Sequence, residues 1–160
     1  MDTSYVIDVQ IATQTAIPLT IEELIAIAEF TLKQHTTCSE ITLRIVEPTT
    51  IQALNHQYRQ QNKVTNVLAF PSELPAHIQL DHPLLGDVII CPEVLLQESL
   101  EQKKTLQAHW AHIIIHGILH LLQFNHIQSE ETIQMQQEEI KLLHALGFSN
   151  PYITEDYTLE

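Results

Sequence analysis

Three histidines, His116, His120 and His126, stand at a spacing that can hold a metal ion. Four residues apart on a helix, His116 and His120 stack one turn above the other on one face, so both rings can grip one ion from the same side. A third ligand taken from the next turn would approach at a poor angle. If the chain leaves the helix after Leu122, His126 can swing back and complete a set of three imidazoles. A fourth coordination position then stays open for water, which is the arrangement of catalytic zinc sites, whereas structural sites are normally filled by four protein ligands. One Zn2+ per chain is the expected cofactor. The competing reading is a set of satisfied or exposed histidines. It fits less well, because Ile113, Ile114, Gly117, Ile118 and Leu121 make the shared face apolar, where neutral imidazoles need partners. His109 and His112, one or two turns upstream on nearly the same side, are read as bystanders or as groups behind the ligands. Gly117 lets a neighbouring strand approach the helix closely, at a cost in helix propensity. It also occupies the place of the general-base glutamate in H-E-x-x-H proteases, which argues against peptide hydrolysis by that route.

The elements that must position these groups follow from periodicity. A first strand is expected at residues 5–9, then a polar link to Pro18. Thr20 precedes the acidic turn Glu22-Glu23 and an apolar series ending near His35, the signature of a capped helix. Ile41, Leu43 and Ile45 alternate as in a half-buried strand closed by Pro48. A short helix at 50–59, a strand within 63–71 stopped by Pro71, and a strand at 88–91 ending at Pro92 come next. The connection between these last two strands contains Pro75 and Pro83 and has no periodic pattern, the mark of a functional or mobile loop. Helical patterns occupy 93–103, 106–122 and 130–146, the last closed by Gly147. The expectation is an α+β fold, a small mixed four-stranded sheet packed with about five helices, in one domain spanning 1–160 with a loose acidic tail at 154–160.

Composition narrows the setting. At 160 residues and 44% hydrophobic content the chain can bury a real core without staples. No apolar run reaches the roughly 18 residues needed to cross a membrane, and the N-terminus carries no secretion pattern. A cytoplasmic protein with Cys38 and Cys91 reduced and mostly buried is expected. Twenty acidic against seven basic residues give a net charge of −13, which repels nucleic acid and membranes at long range. A polyanionic substrate would need a local cation, from bound metal or from arginine.

The segment HGILHLLQFNH, residues 116–126, resembles the hallmark H-G-x-L-H-L-x-G-[YF]-D-H of the YbeY-type metal-dependent endoribonucleases, the rRNA maturation factors of bacteria. It departs at Gln123, where the family has Gly, and at Asn125, where it has Asp. Asn55, Tyr58 and Arg59 are similar to the family's N-x-x-Y-R, and TNVLAFP at 65–71 to its T-D-V-L-S-F-P, with Asn66 for Asp and Ala69 for Ser. LGDVIIC at 85–91 resembles a third block, so the likeness runs in order from the first strand to Gly147. A glycine after the second histidine suits a turn with positive φ, so Gln123 is expected to be strained unless the turn takes another path. Asn125 keeps the shape of Asp without its charge, so it can orient a ligand without raising its basicity.

The resemblance implies a metallo-endoribonuclease specific for single strands. Its implied target is the 3′ end of 16S rRNA, in ribosome maturation and quality control. Within the family block, Arg59 is the candidate clamp for the scissile phosphate, its planar fork matching paired oxygens. Thr65, Asn66, Asp87 and Asn125 are candidates for the groove wall or for support of the ligands. The general base stays open among His109, His112, Asp87 and no protein group at all. Expected partners are single-stranded rRNA, the ribosome or its small subunit and a ribosomal protein with a basic surface, with no membrane and no DNA. The competing readings are a zinc-stabilised adaptor that docks on ribosomes without catalysis, and a metal-dependent hydrolase of another substrate.

Overall fold

The computed structural model describes residues 4–73, 83–124 and 128–153. Four strands and five helices follow one another as β1 (Ser4–Ala12), α1 (Ile21–Lys33), β2 (Cys38–Val46), α2 (Pro48–Arg59), β3 (Val67–Pro71), β4 (Leu84–Ile90), α3 (Pro92–Glu101), α4 (Leu106–Leu121) and α5 (Ser129–Ala145). The strands lie in the order β1-β2-β4-β3. β1 and β4 run parallel to β2, while β3 is antiparallel to β4, so the sheet is mixed as its pattern implied.

Side-chain alternation gives the sheet two different faces. Ile41, Leu43 and Ile45 of β2 and Val88 and Ile90 of β4 point to the larger core, packed by α1, α4 and α5. Leu68 and Ile89 point the other way, into a smaller core with Val46, Cys91 and Ile51 of α2. The two cores share the sheet, and the helices carrying His116 and Arg59 lie on opposite sides of it. α4 is buried nearly all round, with Trp110, Ile114 and Ile118 in the interior, which is why its sequence reads as apolar beyond a single stripe.

Local chemistry sets the boundaries. Thr20 and Glu23 form a reciprocal capping box at the start of α1. β1 runs on to Ala12, beyond the expected five residues, because it pairs with β2 without a break from Ser4↔Cys38 to Ala12↔Val46. β4 likewise starts early, at Leu84, through pairing with Glu40. Gly86 has φ +144, and a Cβ there would lie 2.1 Å from the Phe70 carbonyl oxygen, so only glycine fits. The expected close approach at Gly117 is present: a Cβ on it would meet Val88 Cγ1 at 2.6 Å. No described helix is long and apolar enough to cross a membrane. Cys91 is buried and Cys38 half-buried, both as free thiols.

Candidate metal centre and substrate groove

His116 and His120 sit on the last turns of α4, with ring centroids 4.6 Å apart. Their Nε2 atoms face each other at 3.2 Å. The other edge of the His116 ring meets α5: Nδ1 lies 3.0 Å from Oε2 of Glu139. Glu139 is almost wholly buried, at 1% exposure, and its second oxygen receives His112 Nε2 at 2.6 Å and the Tyr152 hydroxyl. Burial pushes this carboxyl's pKa upward. Hydrogen bonds from His112 and His116, the positive field of His116 and the Tyr152 hydroxyl outweigh burial and bring the pKa down to about 2. An ionised carboxylate against Nδ1 places the proton of neutral His116 there and turns the lone pair of Nε2 toward His120.

His112, His116 and Glu139 each offer a ligand atom within 4.8 Å of the others, a group able to hold a metal ion. The geometry distinguishes the two edges of His116. Two nitrogens bound to one zinc by bonds of 2.0–2.1 Å at a tetrahedral angle stand about 3.3 Å apart. The 3.2 Å between His116 and His120 matches this. The 2.6 Å between His112 and Glu139 is a hydrogen-bond length, too short for two ligands of the same ion. The donors therefore fit a metal best on the Nε2 edge, with Glu139 orienting the imidazole from behind.

The end of α4 explains how a third ligand could return. Helical bonding stops at Leu121, and Gln123 adopts φ +76. Gln123 N–H donates to the His120 carbonyl at 3.1 Å and Phe124 N–H to that of Leu119 at 2.9 Å, a Schellman turn. The chain thus leaves the helix where the sequence requires, and the left-handed residue is the Gln that stands in place of Gly. His126 and Asn125, together with the 154–160 tail, lie outside the described residues.

Arg59 reaches the same region from the other face of the sheet. It is the last residue of α2, where Gln60 turns left-handed at φ 55. Buried Asn55 fixes this end, donating from Nδ2 to the Lys63 carbonyl at 3.0 Å and accepting from Gln61 N–H. Tyr58 packs its ring on Phe70 of β3 at 5.1 Å. A groove of about 500 Å³ results, lined by Arg59, Asn66, Val67, His116, His120 and Gln123 among others.

Asn66 is held in the groove wall by Glu98, whose two oxygens accept its Nδ2 at 3.1 and 3.2 Å. Glu98 also meets His109 Nε2 at 2.9 Å. Thr65 precedes β3 and does not line the groove. Asp87 is paired with Phe70, whose ring packs in the smaller core, so alternation turns it away from α4. The residues sequence reading missed are Glu139, Tyr152 and Glu98. Glu139 carried one available signal, a carboxylate on the α5 face that also presents Met135, Leu142 and Leu143 to the core.

A mixed sheet carrying a buried helix, with paired imidazoles backed by a carboxylate above an open groove, defines a metal-binding α+β protein of hydrolase type. Comparison with known families is consistent with this and more specific: the profile described as Endoribonuclease YbeY matches residues 6–147. The chain belongs to that family. Relatives named Endoribonuclease YbeY from Legionella pneumophila strains Corby and Lens are each 52% identical over 157 residues, covering 98% of this chain and 99% of theirs. The solution structure of TM1509 from Thermotoga maritima shares the fold, with TM-score 0.60 and 23% identity over 85% of this chain and 87% of that one.

Proposed function

We propose that this YbeY-family protein is a single-strand-specific endoribonuclease that trims the 3′ end of 16S rRNA and acts in ribosome quality control. The observation that carries the metal chemistry is the 3.2 Å approach of the His116 and His120 Nε2 atoms, with His116 held from behind by Glu139. His116, His120 and His126 hold the ion, and zinc suits a set of three neutral imidazoles. When bound, zinc supplies a Lewis acid that activates water near neutral pH.

The chain's own residues do the rest. Arg59 clamps the scissile phosphate with paired N–H donors, and it lines the same groove as His116 and His120. Asn66, its amide nitrogen held by Glu98, lines the groove in which the extended strand lies beside β3. Glu139 keeps the proton of His116 on Nδ1 and the lone pair on Nε2. A net charge of −13 leaves little long-range attraction for RNA, so the cytoplasmic ribosome, through its small subunit and a ribosomal protein with basic surface, delivers the substrate.

Cleavage of a labelled single-stranded RNA by protein reloaded with one equivalent of zinc, beside His120→Ala prepared identically, tests this reading. Cutting by the parent that vanishes in the variant supports it. Equal cutting by both reveals a contaminant, and an inert parent that binds one zinc tightly points to an enzyme that needs the ribosome or to a protein that docks without cutting. Arg59→Ala is expected to lower kcat/KM while leaving zinc affinity unchanged.

A further inference from the structure

We propose that the substrate strand continues past the metal helix and is gripped again by Lys104 and Lys103, so that RNA is held both at the bond that is cut and on one side of it. The proposal deepens the nuclease reading above and rests on it. A second cavity of about 560 Å³ lies beyond His116, walled by Glu98, Lys104, His109 and Tyr152. It shares Asn66 and His116 with the Arg59 groove. A third cavity of about 390 Å³, walled by Lys103 and Asn150, shares Gln102, Lys104 and Pro151 with the second. The three compartments therefore adjoin in series, with Asn66 and His116 at the junction of the first and the second.

The positive charge is distributed along this track. The chain has seven basic residues against twenty acidic ones, and three of the seven, Arg59, Lys103 and Lys104, line these compartments. They stand at its two ends. Lys104 is half-buried, and among the described residues its ammonium makes no ion pair. Burial lowers its pKa, and the charges of Glu98 and Glu139 act in the opposite direction.

The backbone holds the lysines in place. Lys103 takes φ +56, and Lys104 N–H donates to the Ser99 carbonyl at 3.0 Å, a Schellman turn that ends α3. The next residue, Thr105, caps α4, so the Lys104 side chain springs from the base of the metal-bearing helix. The nearby carboxylates keep their charge but direct hydrogen bonds elsewhere: Glu98 to Asn66 and His109, Glu101 to the Gln97 amide, and Glu139 to His112 and His116. Among the described residues no carboxylate lies within ion-pair distance of the Lys104 ammonium, which is the cation an incoming phosphate would meet there.

The test uses zinc-loaded protein and two single-stranded RNAs, one short enough to fill only the Arg59 groove and one long enough to span all three compartments. Lys103→Gln/Lys104→Gln is expected to lose about tenfold in kcat/KM on the long RNA and nothing on the short one, while the salt slope of binding falls by about 0.7 per lysine. Lys103→Arg/Lys104→Arg restores both, and unchanged thermal unfolding of each variant excludes a folding effect. Equal loss on both RNAs, or no loss on either, overturns the track while leaving the nuclease reading intact. Where the parent cuts neither RNA, the binding arm decides: an unchanged affinity and salt slope for the long RNA in Lys103→Gln/Lys104→Gln overturns the track.

Discussion

Nδ1 of His116 on α4 and Oε2 of Glu139 on α5 lie 3.0 Å apart, across 23 positions of sequence. This contact assigns the tautomer of the histidine at the centre of the site and joins two helices through a buried charge. Replacing Glu139 with Gln keeps the size and an acceptor but removes the negative charge that favours the Nε2 lone pair. Zinc affinity should fall about 10–100-fold in Glu139→Gln, as for other partners that orient metal-bound histidines. Competition with a chromophoric chelator measures this, and unchanged affinity would reassign Glu139 to packing alone.

The same carboxylate makes metal-free protein sensitive to acid. Its pKa is about 2 in the fold against 4.5 for the free group, so the folded state binds the proton less readily. Its contribution is present above about pH 4.5 and is lost as pH falls toward 2; a shift of this size corresponds to about 3 kcal/mol. Denaturant unfolding of the metal-free parent should therefore show stability falling through this window. Glu139→Gln should show a shallower fall, and parallel profiles would contradict the linkage.

Gln123 occupies a left-handed position, φ +76, at the end of the metal helix. A side chain there costs about 1–2 kcal/mol that glycine avoids. Gln123→Gly should raise Tm by about 2–4 °C per kcal/mol recovered, in a chain of this size. A lower Tm would show that the Gln side chain makes compensating contacts.

A methyl group on residue 117 would stand 2.6 Å from Val88 Cγ1. Gly117→Ala should destabilise the protein by about 1–3 kcal/mol as α4 is forced away from β4. Adding Val88→Ala should recover part of that loss. Additive effects of the two substitutions in a double-mutant cycle would place the strain elsewhere.

How much of this was legible depended on range. The capping box at Thr20 and Glu23, the alternation of Ile41, Leu43 and Ile45, and the facing of His116 and His120 all follow from spacing, and the structure contains each. So does the need for Gly117, since a bare position on an apolar helix implies something packed against it. Glu139 was not legible, because on its own helix it is one of several carboxylates and its partners come from α4 and from Tyr152. Asp87 drew attention as an acidic group in a family block, yet its face is set by strand register, which pairs it with Phe70. The extension of β1 to Ala12 is of the same kind: the partner strand fixes where it ends, not its own polarity.

The sheet's two cores have a consequence for how such a protein can change over time. His116 and His120 are set by the larger core, while the helix that ends in Arg59 is seated on the smaller one through Ile51 and Leu54. Substitutions deep under one helix and deep under the other, far apart and without shared partners, should have effects that add. On the proposed reading, drift under α2 would retune the grip on substrate, and drift around α4 would adjust ion affinity. The fold offers selection two nearly independent dials on one reaction.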